Sequence, residues 1–261
     1  MFRSLHIAAT GMAAQEAQLD SISQNLANVN TVGYKKVRAD FEDLLYQTLR
    51  APGAPTSGTT NSPTGLQVGS GARIVANTRM HTQGTLQQTG NPLDIAIEGN
   101  GFFVIQQPDG TPAYTRAGNL KTDGQGRIVN SDGYPLEPPI SVPADATSLS
   151  IGADGTVSVT MKGQTNSVQL GQLELATFVN PTGLASAGHN LYTSTTSSGD
   201  PQIGKAGTEG RGTLLQGSIE HANVEVVEEM IGLIAAQRNY EVNSKVVSAA
   251  DEMLRNATQM R

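Results

Sequence analysis

From Val224 to about Thr258 the chain contains no proline and a single glycine, Gly232, in a sequence otherwise rich in both. Set on a heptad, one position of this stretch reads Val226, Leu233, Tyr240, Val247 and Leu254. The position three residues on reads Glu229, Ala236, Asn243, Ala250 and Ala257. Large apolar residues alternating with small or polar ones at this spacing predict a long helix that meets another helix at close range. Val246, Met253 and Met260 widen the apolar face. Glu241 with Lys245 and Asp251 with Arg255 are spaced as i,i+4 ion pairs on the outer side. Asn223 is the predicted N-cap, and Glu225, Glu228 and Glu229 crowd the first turns, where the helix dipole favours negative charge. At ~1.5 Å per residue such a helix is about 50 Å long and needs a partner of similar length.

The partner lies at the other terminus. Leu5, Met12, Leu19 and Leu26 fall seven apart, with Ala8, Gln15, Ile22 and Val29 three residues behind each. The fold class predicted is mixed α and β. Long N- and C-terminal α-helices pair as a coiled-coil-like hairpin, with a central antiparallel β domain and extended connecting segments between them. The outer faces of such a hairpin still need neighbours, which implies assembly of the chain with itself.

Composition narrows the function classes. Glycine accounts for 29 of 261 residues and charged residues for only 15%, the profile of a turn-rich β protein with a polar surface. The net charge of −6 and the lack of a basic block beyond Lys35, Lys36 and Arg38 argue against nucleic acid as a partner. Cysteine is absent, which removes thiol catalysis, cysteine-ligated metals and disulfides. The N-terminal segment is amphipathic and lacks the apolar core of a cleaved secretory signal. The longest apolar run, Met230 to Ala236, is far short of the ~20 residues that span a bilayer, so no direct membrane insertion is expected.

Between the helices the period changes. Asn30 and Gly33 are read as a helix stop and turn, and Asp40 to Leu49 as a short amphipathic helix. Ala51 to Gly71, with three prolines and no charge, is read as an extended segment suited to ordering against neighbouring subunits. Strands are predicted at Arg73 to Thr78, Leu93 to Glu98, Phe102 to Gln106, Thr156 to Met161 and Gly171 to Phe178. The Asp-Gly dipeptides at Asp109, Asp123, Asp132 and Asp154 mark tight turns between short antiparallel strands. The resulting division is 1–30 (helix), 31–75 (connecting), 76–180 (β domain), 181–223 (extended return) and 224–261 (helix).

No constellation for catalysis is visible. His6, His81, His189 and His221 are far apart and none has metal-ligand spacing. There is no nucleophile elbow and no phosphate-binding loop. Gly99-Asn100-Gly101 runs into Phe102-Phe103-Val104, a strand, where a dinucleotide fingerprint needs a helix. No cofactor or metal is implied, and the chain is read as a non-enzyme. Two other classes stay open on residues alone. One is an oligomeric β-rich binding module, which the scarcity of aromatic residues disfavours. The other is a hydrolase using carboxylates such as Asp94, Glu98 and Asp123.

Three separated blocks carry a resemblance. Asn25-Leu26-Ala27-Asn28, continuing to Gly33-Tyr34-Lys35, resembles the N-terminal signature of the bacterial flagellar rod and hook family. Gln237-Arg238-Asn239-Tyr240, with Ala250 to Leu254, resembles its C-terminal signature. Gly99 to Val104, followed by Ala113-Tyr114-Thr115-Arg116-Ala117-Gly118, looks like the block that opens its β domain. The stretch Glu42 to Gly53, including Leu44, Leu45, Tyr46, Gln47, Pro52 and Gly53, resembles a segment associated there with a straight, stiff rod rather than a bendable hook.

The resemblance implies a structural subunit of a helical tube, with helices lining the inner wall and the β domain outward. A proximal rod subunit is the alternative within the family. The implied assembly interface is Leu5, Met12, Leu19, Ile22, Leu26 and Val29 with Val226, Leu233, Tyr240, Val247 and Leu254. Implied partners are further copies of the chain, proximal rod proteins, hook subunits, and the surrounding peptidoglycan-ring and outer-membrane-ring proteins. The implied location is the basal body from periplasm to outer membrane, reached through the flagellar export apparatus without a cleaved signal.

Overall fold

The computed structural model describes residues 2–53, 55–57, 60–61, 63–163 and 166–259. Of the positions assigned to the seam, Met260 and the side chain of Ala257 lie outside what is described. The chain divides into two compact units. One comprises 1–26, 37–78 and 225–261, and the other 27–36 and 79–224. Each terminal region therefore belongs with a stretch that follows the first helix, rather than standing apart from a separate connecting region.

The first unit holds both long helices, α1 (Phe2–Ala27) and α2 (Val226–Gln259). Three contacts relate them. A Cβ at Gly11 would lie 3.0 Å from Asn243 Nδ2, a Cβ at Gly232 would lie 3.4 Å from Ile22 Cδ1, and Asn25 Nδ2 reaches Glu229 Oε2 at 3.4 Å. Ascending α1 from Gly11 through Ile22 to Asn25 descends α2 from Asn243 through Gly232 to Glu229, residue for residue. The helices are antiparallel neighbours, and a glycine stands at two of these close approaches.

Burial follows the heptad with one inversion. The deeply buried line on α2 is Glu229, Ala236 and Ala250, the small or polar position; Leu233, Val247 and Leu254 are half-buried at its rim, while Val226 and Tyr240 are exposed. On α1, Ala8, Ala14, Ser21, Ile22 and Asn25 are buried, while Leu5, Met12, Leu19 and Leu26 are half-buried. Backbones that approach closely leave room between them for small side chains, and the large ones are pushed to the flanks.

Three local expectations are corrected. α1 ends at Ala27, so Val29 lies in the turn beyond it and not on the helical seam. Asn223 does not cap α2. Its side-chain amide donates to the Met80 and Thr82 carbonyls, and its oxygen accepts from the Lys36 N–H at 2.7 Å. Asp40 to Leu49 forms no helix: Val37–Asp43 is a strand paired with Ala72–Arg79, and Gln47–Arg50 pairs antiparallel with Leu66–Val68. The apolar residues of DFEDLLYQTL fit a helical period, but partners more distant in the chain offer them strand pairing instead.

The second unit is β-rich and almost entirely antiparallel. Its largest sheet has six strands in the order Ala185–Gly188, Leu191–Thr193, Pro112–Thr115, Phe102–Gln106, Glu174–Thr177 and Gln202–Lys205. The stretch 181–223, read from sequence as an extended return, thus supplies strands to both edges of that sheet. It also supplies Thr213–Gln216, paired with Ile95–Glu98, and Ser218–Glu220, paired with Leu86–Gln88. Its Gly and Ser content conceals short edge strands that propensity alone does not favour. A three-stranded sheet, Ala146–Ile151, Thr156–Met161 and Ser167–Gln172, adjoins. The core gathers Ile95, Ile97, Phe103, Leu120, Val157, Leu173 and Leu175, all withdrawn from solvent.

Of the carboxylates weighed as hydrolytic candidates, Glu98 is exposed at the end of the strand Ile95–Glu98, and Asp94 and Asp123 serve turns. Asp94 accepts from Thr89 Oγ1 and Asn91 Nδ2, and Asp123 Oδ1 accepts from the Gln125 and Arg127 N–H groups. Asp109 and Asp154 bond the N–H two residues on in the same manner.

Candidate assembly surface and the buried joint

Within the first unit, Asn25 joins α1 to the following strand by copying a backbone pairing. Its Nδ2 donates to the Val37 carbonyl at 2.8 Å, and the Val37 N–H donates to its Oδ1 at 2.8 Å. Ser21 Oγ donates to the same carbonyl at 3.0 Å. Asn25 also faces Glu229 of α2, so one buried amide of α1 touches two further segments of the unit.

Within the second unit the other half of the N-terminal signature is equally buried. Lys35 Nζ donates to Glu220 Oε1 at 2.6 Å and to the Thr82 carbonyl at 2.7 Å. Arg116 Nε donates to Glu220 Oε2 at 2.6 Å, and its two Nη atoms donate to the Gly101, Gly99 and Ile97 carbonyls. The Gly84 N–H donates to Glu220 Oε1 at 2.8 Å. Burial alone would push the Glu220 carboxyl up; the charges of Arg116 and Lys35 overcome it and hold it below its ordinary value. Burial lowers Lys35 against the pull of Glu220. One carboxylate shared by two cations, with its oxygens saturated by donors, is the arrangement in which a buried charge cluster is tolerated. Arg79 stacks between Tyr34 and Tyr192, at 5.7 and 5.5 Å from the ring centroids, beside this cluster.

These groups hold structure. Among the described residues no cluster of His, Asp or Glu is placed to bind a metal, and no helix is long and apolar enough to cross a membrane. What is exposed is apolar surface in the first unit. On α2, Val227, Met230, Ile231, Ile234 and Val242 stand out to solvent on the side away from Glu229 and Ala236. Of the rod-type residues, Leu45 is 91% exposed, Tyr46 and Leu49 are more than half exposed, and Gln47, Pro52 and Gly53 are exposed as well; Leu44 is half-buried. Of the signature residues, Gln237 and Arg238 are exposed on α2, whereas Gly33 is buried and Asn28 is half-buried.

Comparison with known proteins decides what this surface belongs to. Residues 5–35 match the family "Flagella basal body rod protein", 96–159 the "Flagellar hook protein FlgE/F/G D1 domain", and 215–260 the "Flagellar basal body rod FlgEFG protein C-terminal". The chain is 48% identical over 260 residues to the flagellar basal-body rod protein FlgG of Buchnera aphidicola subsp. Acyrthosiphon pisum, covering 100% of both chains. The FlgG proteins of Caulobacter vibrioides, 46% identical over 99% of each chain, and of Bacillus subtilis, 39% identical over 100% of each, are similar along the same length.

The chain belongs to the flagellar basal-body rod protein family. Rod proteins are structural components of the flagellum and not enzymes, and the matched regions contain much of the buried joint and the exposed arc of α2, though not the exposed segment at Leu45, Tyr46 and Leu49. Asn25 and Lys35 lie in the N-terminal match, Arg116 in the D1 match, and Glu220, Glu229 and the exposed arc of α2 in the C-terminal match. Sequence reasoning quoted Lys35 and Arg116 within motifs without assigning them a role, and it missed Glu220. The short strand Ser218–Glu220 carries no local pattern that marks its acid as buried.

Proposed function

We propose that this rod protein is the distal-rod subunit, polymerising into a stiff helical tube that transmits torque from motor to hook and carries the export channel. The observation that carries the reading is the unpartnered apolar arc of α2. With α1 already occupying the small-residue line, Val227, Ile231 and Ile234 remain on the outside, where only further copies of the helical unit would cover them. In this reading the two helices form a coiled-coil-like hairpin inside each subunit. Leu5, Met12, Leu19, Ile22, Leu26, Leu233, Val247 and Leu254 hold its seam and flanks, and Val226 and Tyr240 face a neighbour. Val29, off the helix, contributes to the turn that follows. The full-length relatedness to proteins named FlgG favours a distal over a proximal position.

Leu45, Tyr46 and Leu49 then act as contacts between subunits that keep the tube straight. The partners are proximal rod proteins below, hook subunits above, and the peptidoglycan- and outer-membrane-ring proteins around a rod that crosses the periplasm, with subunits delivered by the export apparatus without cleavage. The test is replacement of the chromosomal copy by an Ile231→Asp, Ile234→Asp variant. Basal bodies without a completed rod, and cells without hooks, are expected. Swimming cells with normal hooks would overturn the reading.

A further inference from the structure

His81 follows the strand Ala72–Arg79 and is packed edge-on against Phe102 and Tyr192, with ring centroids 5.4 and 5.6 Å away. Neither of its ring nitrogens, both shielded from solvent, makes a hydrogen bond of good geometry. The charged groups around it come from four directions: Lys35 from the segment after α1, Arg79 from the strand preceding His81, Arg116 from the end of Pro112–Thr115, and Glu220 from Ser218–Glu220. Tyr192 is neutral, and Glu209, which shares a cleft of about 310 Å³ with His81, is paired with Arg211 at 2.8 Å and largely exposed. The imidazole therefore sits among three cations, and the one buried acid near it is already shared by two of them.

A proton on His81 would place a fourth positive charge in this cluster. The segment that yields is the one held chiefly by polar bonds. Gly33 N–H donates to the Glu220 carbonyl at 2.8 Å, Lys35 Nζ donates to Glu220 and Thr82, and Lys36 N–H donates to Asn223. The six-stranded sheet, whose Phe102 and Tyr192 are touched by His81, is held besides by its backbone ladder and by the apolar core on its other face around Phe103 and Leu175, which contains no ionisable group. We propose that His81 is a proton-sensitive latch whose protonation releases Gly33–Lys36 from the strand Ser218–Glu220 while the six-stranded sheet stays folded. Burial is the main cause holding the imidazole down at about 4 from its ordinary 6.5, with Lys35, Arg79 and Arg116 adding and the Pro181 carbonyl opposing. A base depressed in the folded state contributes stability that is complete above its unfolded value and is lost as pH falls from 6.5 through 4. That window opens before Glu220 begins to protonate.

The experiment is amide hydrogen exchange on the full chain, corrected for intrinsic rates, across pH 7.5 to 3.5. Protection at Gly33, Lys36 and Gly84 should fall within the His81 window while Val104 and Tyr114 stay protected. In His81→Phe, which keeps the ring contacts but cannot titrate, the fall should move about one pH unit or more lower. His81→Gln and the imidazole NMR titration of the unaltered chain provide the same reading should the Phe variant not fold. An unchanged midpoint in the variant, an imidazole titrating near 6.5 with the latch amides unmoved, or sheet and latch amides opening together would each overturn the proposal.

Discussion

Arg116 Nε and Glu220 Oε2 meet at 2.6 Å, with both side chains withdrawn from solvent. The pair closes a circuit begun by Lys35, whose ammonium takes the other carboxylate oxygen, so Lys35 and Arg116 are joined through one acid that lies 185 positions from the first and 104 from the second. Glu220→Gln leaves two buried cations facing a neutral amide. Breaking a buried pair from one side costs about 3–5 kcal/mol. Urea unfolding monitored by tyrosine signal should show a loss of that size. Because Glu220 is held below its ordinary value, its contribution is present at neutral pH and is lost as pH falls through the folded value, below 4.5. The difference between variant and parent should therefore shrink in strong acid.

Asn25→Ala would strand the N–H of Val37, at about 1–3 kcal/mol for a buried unpaired group, and leave the Val37 carbonyl with Ser21 Oγ as its remaining side-chain donor. Asn25→Asp should be at least as damaging, because it keeps an acceptor for the N–H, loses the donor to the carbonyl, and sets a second carboxylate beside Glu229. Exchange of the Val37 amide is the direct readout. Unchanged protection in the alanine variant would contradict the role given to Asn25.

Gly33 has φ +72, and a Cβ there would lie 2.6 Å from the Ala117 nitrogen and the Arg116 carbonyl carbon. Gly133 has φ +85 with nothing within 4 Å of its Cβ position. Gly133→Ala should cost only the left-handed penalty, about 1–2 kcal/mol. Gly33→Ala should cost several times more, since it also displaces the backbone that carries Arg116. Equal melting temperatures for the two variants would refute the distinction.

The terminal helices were legible because their signal is local and repeated. Heptad spacing placed Ala236, Asn243 and Ala250 on the same line that the structure turns toward α1. The strands Phe102–Gln106 and Thr156–Met161 were legible for the same reason, as short runs of β-branched and aromatic residues. What could not be read was pairing at a distance. The strand character of Gln47–Arg50 depends on Leu66–Val68, and the strand Gln202–Lys205 on Glu174–Thr177. Asn223 looks like a helix cap in sequence, yet its amide is engaged by Lys36, Met80 and Thr82, residues no local pattern connects to it. The Lys35–Glu220–Arg116 cluster is of the same kind, because charge burial is a property of the folded neighbourhood and leaves no periodic trace.

Leu45 and Tyr46 are exposed, so Leu45→Ser with Tyr46→Ser should change the stability of the monomer by no more than about 0.5 kcal/mol. The same variant should form tubes of altered curvature or flexibility, visible by negative-stain imaging. Straight tubes indistinguishable from the parent would remove the stiffening role from this segment.

The central claim is that the exposed arc of α2 drives polymerisation. Sedimentation velocity of the full chain from dilute to concentrated, imaged in parallel by negative stain, tests it directly when the parent is compared with Ile231→Asp, Ile234→Asp. The account predicts straight tubes growing with concentration for the parent, and a folded monomer at every concentration for the variant. Tubes formed equally by both, or a parent that remains monomeric throughout, would contradict it.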